Sequence, residues 1–309
     1  MVDIYVIVRS LGKKCGMAEY AGFVADRLGG KLISSAMELP EANGNPAVVF
    51  AQLEYGIYGD SVESMVAELV EIQRRGHIAV GDYASEPDVY KGISDILKNY
   101  CILGPKYWEP GTYLLPLIRC ALPEEPDPGP PDHIHLGSFG FTSPLKHHDE
   151  VAHLAIRLGV PCTIISTVPH FGQSSEEREL QKLLDLAASY PKLNVIWERY
   201  LTIPEVQKEL RKCSHLISAH EDIAANWGPS GSLRTMATVG RPLIACRSRR
   251  AAEVGAILVD NLSEITIDFL ELHRSSNLVA NDNLWAYVNL VKWLTLSIEA
   301  QQPIKSLLS

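Results

Sequence analysis

Hydrophobic positions along the chain alternate between short continuous runs and longer stretches with helical spacing. The run "IYVIV" at 4–8 predicts a buried strand, and the apolar residues of the following "MAEYAGFVADRL" fall on one face of a helix. The pattern continues with strands at 47–52, 77–80 and 101–103 and with helices at 62–69 and 89–96. Buried strands that alternate with amphipathic helices are typical of a parallel sheet with crossover helices.

A proline-rich acidic segment interrupts this alternation. Residues 123–132 read "PEEPDPGPPD" and contain five prolines, so they can form neither a helix nor a central strand. The sequence therefore predicts a stiff, solvated linker at 126–132. It separates an N-terminal domain, 1–125, from a C-terminal domain that begins at residue 133 and ends near residue 281.

The alternation restarts after the linker. "HIHLG" at 133–137 and "CTIIS" at 162–166 predict strands, and helices are expected at 146–158 and 174–190. Three more strands, "NVIW", "HLIS" and "LIAC", each follow a helical stretch, and the chain closes with a long helical pattern at 282–309. The fold class expected is α/β, with two Rossmann-like parallel-sheet domains that face each other across a cleft.

Composition and charge exclude several classes of function. The net charge of −9 argues against a nucleic-acid-binding protein, because a basic stripe is the usual electrostatic footprint of such proteins. No apolar run reaches the ~18 residues of a membrane span, and the N-terminus lacks the layout of a signal peptide. The six cysteines form no close pair, which indicates reduced, mostly buried thiols. A cytoplasmic protein with at most peripheral membrane contact is expected.

Candidate ligand sites lie in the loops after the strands, because open parallel sheets bind ligands beyond the carboxyl ends of their strands. In "GPSGSLRTMATVGRP", Ser230, Gly231 and Ser232 precede a helix whose first N–H groups and dipole favour an anion. A plain capped helix without a ligand is the alternative.

Two groups of basic residues fit the same kind of ligand. Lys146 is expected to open a helix, where its charge opposes the helix dipole, so an anionic ligand could hold it there. Arg247, Arg249 and Arg250 follow the strand "LIAC", and arginine forks suit phosphate oxygens. In both cases a solvated surface side chain is the alternative.

Metal and cofactor motifs are missing from the sequence. His133 and His135 share one face of a predicted strand and His147 is followed by His148, yet neither pair has a carboxylate or thiolate at ligand spacing. There is no Asp-x-Asp pair, no G-x-G-x-x-G after a strand, no G-x-S-x-G and no Walker loop. Neither a metal site nor a cofactor is therefore expected.

Several of these stretches together resemble a known family. "HLGSFGFTSPLKHHDEVAHLA", "NVIWERYLTIPEVQKELRKCSHLISAHED" and "GPSGSLRTMATVGRPLIACRSRRAAEVG" resemble the donor-binding domain of the retaining glycosyltransferases of family GT4, which have the GT-B fold. "GMAEYAGFVADRL" resembles the glycine-led first helix of that family, and the segment 282–309 resembles the helix that packs back on the first domain.

The resemblance implies roles for individual residues. Lys146 matches the lysine that binds the donor diphosphate, and Gly16 would approach the donor phosphates. Glu221 or Asp222 could hold the ribose hydroxyls. Phe141 matches the arginine of the family, and Asp82 falls near its histidine in the first domain.

The family's two glutamates match Trp227 and Thr235, so neither acidic group is retained. The charge missing at Phe141 is expected to come from Arg247, Arg249 or Arg250, on the assumption that their loop and the lysine loop end neighbouring strands. Arg234 is a second candidate for the same role.

The function that the resemblance implies is a metal-independent retaining glycosyltransferase. It would move a sugar from a nucleotide-diphosphate sugar to an unknown glycan, lipid or small-molecule acceptor, with Lys146, Arg247 and Asp82 as the catalytic candidates. The alternative is a catalytically inactive GT-B protein that binds a nucleotide sugar, a glycan or a protein partner, because the family glutamates are missing.

Overall fold

A computed structural model describes residues 2–13, 16–53, 58, 61–83, 100–104, 113–114, 127–168, 174–221 and 231–274. The chain divides into two compact units. Unit 1 contains the described residues up to Leu114, and unit 2 contains those from Asp127 to Arg274. The helix expected at 282–309 and the one expected at 89–96 lie outside the described residues, and the domain boundaries stay a prediction.

Unit 1 contains a parallel sheet of six strands in the order β2-β1-β3-β4-β5-β6. The strands are β1 Ile4–Ile7, β2 Lys31–Ile33, β3 Val48–Leu53, β4 Ile78–Tyr83, β5 Tyr100–Gly104 and β6 Tyr113–Leu114. Two helices, α1 Gly16–Leu28 and α2 Val62–Arg74, are described between them. All six residues of β3 are buried, as expected for a central strand covered on both faces.

The order of the strands in unit 1 reverses between β1 and β3. The chain runs from β1 to β2 on one side and then crosses to β3 on the other, with Val6 opposite Phe50. Connections leave the sheet in opposite directions at such a topological switch point, and the crevice there is where open α/β sheets bind ligands.

Unit 2 has a second parallel sheet of six strands, in the order β12-β11-β10-β7-β8-β9. Its strands are β7 Leu136–Phe139, β8 Cys162–Ile165, β9 Leu193–Ile196, β10 His215–Ser218, β11 Leu243–Cys246 and β12 Ile257–Val259. Its helices are α3 His148–Leu158, α4 Ser174–Ser189, α5 Ile203–Leu210, α6 Gly231–Ala237 and α7 Ile267–His273.

The switch point of unit 2 lies between β7 and β10, where Gly137 is opposite Leu216. A Cβ atom at Gly137 would lie 2.8 Å from Cys213 Sγ and from a Leu216 methyl carbon, so no side chain fits here. Glycine thus permits the tight packing at the centre of this sheet.

The predicted fold class is confirmed as α/β with two parallel sheets, and most of the strands lie where the hydrophobic runs placed them. The short edge strands β2, β6 and β12 were missed. One strand was placed too early, because β7 begins at Leu136 rather than at residue 133. His133 and His135 therefore precede the strand, although their rings stack with centroids 6.1 Å apart.

The described part of the proline-rich segment is mostly exposed, as expected of a solvated linker, and it is anchored to unit 2. The guanidinium of Arg241 donates to both carboxylate oxygens of Asp127, at 2.6 and 2.7 Å, and to the carbonyl oxygen of Gly129 at 2.8 Å. The same side chain donates to the carbonyls of Cys213 and Arg211, at 3.1 and 3.0 Å. Arg241 thus fixes the start of this segment against the amino end of β10.

Three described cysteines, Cys162, Cys213 and Cys246, are buried free thiols, as expected. Burial raises the pKa of each thiol, so these groups stay protonated at neutral pH. Within the described ranges, no helix is both long and apolar enough to cross a membrane.

Candidate functional site

Lys146 lies in the loop that follows β7, at the switch point of unit 2. Ser143 accepts a hydrogen bond from Leu145 N at 3.4 Å and caps a 3₁₀ turn, Pro144–Lys146, of which Lys146 is the last residue. His147 then has left-handed backbone angles, φ 46° and ψ 42°, and α3 begins only at His148. The expectation that Lys146 opens the helix is therefore wrong, because the left-handed residue separates the turn from the helix.

The ammonium group of Lys146 is held by side chains from two other segments. It donates to Ser232 Oγ at 3.2 Å, at the start of α6, and it lies 3.4 Å from His220 Nδ1, two residues after β10. An ammonium group only donates hydrogen bonds, so His220 accepts through a neutral ring nitrogen. Residues far apart in sequence thus place one positive charge at the carboxyl edge of the sheet.

The loops after β7 and β10 are joined by their backbones as well, because Glu221 N donates to Leu145 O at 3.0 Å. The carboxylate of Glu221 is 54% exposed and lies 3.2 Å from His147 Nε2. The other ring nitrogen of His147 lies 3.3 Å from Glu150, which also accepts a hydrogen bond from Arg247 at 2.8 Å. Glu221, His147, Glu150 and Arg247 thus form a connected row of polar side chains beside Lys146.

The reason given for a donor-binding role of Arg247 is contradicted. β7 and β11 are not neighbouring strands, because β10 lies between them. Arg247 has a left-handed backbone, φ 67°, and its side chain pairs with Glu150 in the first turn of α3. The Glu150 carboxylate raises the pKa of Arg247, so its charge is already balanced within the site.

His147 also requires a correction, because carboxylates do lie close to it. Even so, no group of three or more His, Cys, Asp or Glu side chains with the geometry of a metal site occurs among the described residues.

His148 is a buried side chain close to Lys146. Its Nδ1 is 3.3 Å from Ser138 Oγ, and its Nε2 has no hydrogen-bond partner in the described part of the chain. A Cβ atom on Gly140 would lie 3.4 Å from that Nε2 and 3.5 Å from Ser232 Oγ, so a side chain at this position would contact both groups. Burial, and then the charge of Lys146, lower the pKa of His148 to about 4. The imidazole is neutral at pH 7 and does not repel the ammonium group.

The low pKa of His148 predicts a loss of stability in mild acid. The unfolded state, with an imidazole pKa of about 6.5, binds a proton before the folded state does. The free energy of unfolding therefore falls as the pH drops from about 6.5 towards 4, by up to about 3 kcal/mol from this residue. Urea unfolding at several pH values measures the slope.

The variant that tests this prediction is His148→Gln, which should flatten the slope by about one proton. His153→Gln, on the exposed face of the same helix, is the control and should keep the wild-type slope. Equal slopes for the His148→Gln variant and the wild type would contradict the assignment. His135 and His215, whose pKa values are also lowered by burial, contribute to the dependence that remains.

Other predicted site residues of unit 2 are found as follows. The ring of Phe141 contacts that of Tyr200, with centroids 6.1 Å apart, and Arg234 is buried on α6. Arg249 and Arg250 begin a 3₁₀ helix, Arg249–Val254, but their side chains lie outside the described part of the structure. Ser230 lies outside it altogether, whereas Gly231 is the first residue of α6.

Two predicted site residues belong to unit 1. Gly16 is the first residue of α1, in the connection that follows β1. Asp82 lies within β4, paired in register with Gln52 of β3 and Leu103 of β5, and its side chain is not described. The catalytic role expected of Asp82 stays a prediction.

Sequence reasoning missed His220, His147 and Glu150. The signal for His220 was available, because it lies directly beyond the buried strand "HLIS" and beside Glu221. No local pattern marked His147 or Glu150, because their contacts depend on the left-handed turn before α3.

Neither a family model nor a curated protein matches the sequence. Similar solved structures include Anabaena HepE in complex with UDP-glucose, with a TM-score of 0.59 and 8% identity over 97% of this chain and 99% of that one. OtsA, a trehalose-6-phosphate synthase, has a TM-score of 0.62 and 10% identity over 94% of this chain and 99% of that chain.

TarM has a TM-score of 0.51 and 13% identity over 81% of this chain, which spans 54% of TarM. At such low identities the likeness shows the fold alone. The chain has the GT-B fold, as its sequence indicated, and its structural neighbours are glycosyltransferases.

Proposed function

We propose that this protein is a metal-independent retaining glycosyltransferase, related to family GT4, that takes its sugar from a nucleoside-diphosphate sugar. The observation that carries the proposal is the ammonium group of Lys146, held by Ser232 and His220 at the switch point of a GT-B unit. The complex of HepE with UDP-glucose supports a uridine nucleotide as the donor. The acceptor is a glycan, a lipid or a small molecule.

The proposed sugar transfer requires a positive charge close to the diphosphate leaving group. As the bond between the sugar and the diphosphate breaks, negative charge develops on the diphosphate oxygens, and a preorganised cation lowers the energy of that transition state. Lys146 supplies this charge, and Ser232 supplies a hydroxyl beside it. His148, whose pKa is lowered to about 4, is neutral at pH 7 and adds no competing positive charge beside the ammonium group. Glu221, with its exposed carboxylate, is proposed to accept hydrogen bonds from the ribose hydroxyls.

A second candidate function is binding without turnover. Thr235, at the position where the related family has its second glutamate, is 3% exposed and donates to Gly231 O at 3.1 Å within α6. This side chain cannot supply the carboxylate of the family. A protein that keeps the diphosphate site but lacks this group would bind a nucleotide sugar without transferring the sugar.

Thermal unfolding with UDP, GDP, ADP and dTDP and their sugars tests the donor site. A nucleotide at about 100 times its dissociation constant should stabilise the protein by about 2.7 kcal/mol. We expect this shift with uridine nucleotides, and the same shift in the presence of EDTA. Unchanged unfolding with every nucleotide would reject the donor site. A shift without sugar transfer or donor hydrolysis, for any acceptor offered, would favour the second candidate.

A further inference from the structure

Arg9 lies two residues beyond β1, at the switch point of unit 1. β1 and β3 are the neighbouring strands there, and Tyr58 follows β3 on the way to α2. Arg9 and Tyr58 thus occupy, in unit 1, the place that Lys146 and His220 occupy in unit 2. None of the residues predicted from the sequence as site residues belongs to this cluster.

The buried carboxylate of Glu68 fixes the position of the Arg9 side chain. Arg9 Nε donates to Glu68 Oε2 at 2.9 Å, and the Glu68 side chain is 1% exposed. The other carboxylate oxygen, Oε1, accepts from Ser35 Oγ at 3.2 Å and from the backbone N–H of Ala36. Because both oxygens are engaged, Glu68 is fixed, and it fixes the position of Nε.

The aromatic ring of Tyr58 fixes the plane of the guanidinium. The central carbon of the guanidinium lies 4.6 Å from the centroid of that ring. Apart from the hydrogen bond of Nε, no hydrogen bond of the Arg9 side chain to any described residue is found, and this side chain is 39% exposed. Its two terminal nitrogens therefore form an oriented fork that is open to solvent.

This arrangement differs from a purely structural ion pair. An arginine that only neutralises a buried carboxylate gains most from a bidentate pair, in which two of its nitrogens contact both oxygens. Here the carboxylate uses one oxygen for Ser35 and Ala36, so the terminal nitrogens of Arg9 are left for another acceptor.

The hydroxyl of Tyr58 is a second unused polar group. It is buried and has no hydrogen-bond partner among the described residues, although a buried hydroxyl normally has one. Burial raises the pKa of Tyr58, and the charge of Glu68 raises it further against the opposing effect of Arg9. The phenol thus keeps its proton and can donate a hydrogen bond.

We propose that Arg9 binds an oxyanion, the phosphate or carboxylate group of a small-molecule ligand, at the carboxyl edge of unit 1. The fork of a guanidinium matches two oxygens of either group, and it loses less hydration than an ammonium group when it binds them. That this oxyanion belongs to the acceptor rests on the proposed function. The binding of a simple oxyanion does not.

The test uses inorganic phosphate, with acetate in a second series, on the full chain at an ionic strength held constant with NaCl. All variants carry Lys146→Met, so that phosphate at the donor site does not contribute. The dependence of the unfolding midpoint on phosphate concentration gives the dissociation constant. The Arg9→Gln/Glu68→Gln variant removes both charges together, so that no buried carboxylate is left unpaired.

Phosphate or acetate should stabilise the parent protein in a saturable way, and the double variant should raise the dissociation constant at least about tenfold. Arg74→Gln is the matched control, because Arg74 lies on the exposed face of α2 and pairs with Glu71. This variant should leave the dissociation constant for the anion unchanged. An equal response of the folded double variant, or no response of the parent to either anion, would overturn the proposal. Thermal unfolding with nucleotides is a separate experiment. If no nucleotide bound at the donor site, the conclusion about anion binding at Arg9 would not change.

Discussion

Replacement of Lys146 by alanine is expected to lower kcat for sugar transfer by about 10²- to 10³-fold, the effect of removing one preorganised donor from a developing negative charge. The loss should be larger in kcat than in donor affinity, because the charge on the diphosphate grows as the bond to the sugar breaks. Release of the nucleoside diphosphate from the donor sugar, under conditions of saturating donor, measures the effect.

Lys182→Ala is the matched control for this experiment. Lys182 lies on α4 of the same unit, where it is exposed and pairs with Glu179, so its removal takes away one surface cation and no part of the site. The Lys146→Ala variant should unfold at nearly the same temperature as the wild type. Wild-type turnover by this variant would reject the role of Lys146 in catalysis.

The second large effect is expected at Arg241. Replacement by methionine should lower the free energy of unfolding of unit 2 by about 3 kcal/mol, because several hydrogen bonds are lost at about 1 kcal/mol each. The Arg241 side chain is 1% exposed, and its loss leaves the carbonyls of Arg211, Cys213 and Gly129 without this donor. Urea unfolding monitored by circular dichroism measures the change.

Two variants define how this stability arises. Asp127→Asn should cost far less, because the Asp127 side chain is 38% exposed and water can replace part of the interaction. Arg274→Met removes one hydrogen bond to the same segment, to Pro131 O at 2.7 Å, and should cost about 1 kcal/mol. If Arg241→Met lowered the free energy of unfolding no more than Arg274→Met, the stability of unit 2 would not depend on the buried guanidinium.

The Asp127 interaction also has a pH dependence. Arg241 lowers the pKa of the Asp127 carboxyl group below its ordinary value. A depressed carboxyl pKa stabilises the folded state above the pKa of the unfolded chain, and this stabilisation is lost as the pH falls through the lower folded value. The difference between the wild type and Asp127→Asn should therefore shrink in acid.

The elements of the fold were predictable because each buried strand leaves a short apolar run. "IYVIV", "AVVFAQ" and "LIAC" all coincide with strands to within a residue or two. The start of β7 was misjudged because Ile134 is buried before the strand begins, so burial and strand formation did not coincide there. The edge strands β2, β6 and β12 were missed because short strands with one open side carry little of this signal.

The candidate site was predictable only in part. Lys146, Ser232 and Glu221 were identified, but their neighbours depend on which strands are adjacent, and a sequence pattern does not give the order of strands. That is why Arg247 was expected to supply the charge missing at Phe141, although β10 lies between β7 and β11. The left-handed backbone of His147 was equally hidden, since few residues other than glycine adopt positive φ and no local sequence signal marks this position.

The linker shows a feature that composition does not give. Its prolines exclude a helix, and its described residues are mostly exposed, yet the sequence did not indicate what holds them in place. The buried side chain that binds it, Arg241, comes more than a hundred residues later in the chain. Composition shows which secondary structure a segment cannot form. The contacts that hold the segment in place depend on a residue far away in the sequence, here Arg241.

The order of strands in unit 2 has a consequence for the synthesis of the chain. A ribosome releases the N-terminal part first, so β7 can pair with β8 well before β10 has been made. Lys146 and His220 are 74 residues apart, and they meet only when the last neighbour of β7 has joined the sheet. A nascent or truncated chain that ends before β10 therefore carries the lysine but not the pocket around it. Ligand binding would then report that the chain has been made through β10 and Ser232 and that β10 has joined the sheet.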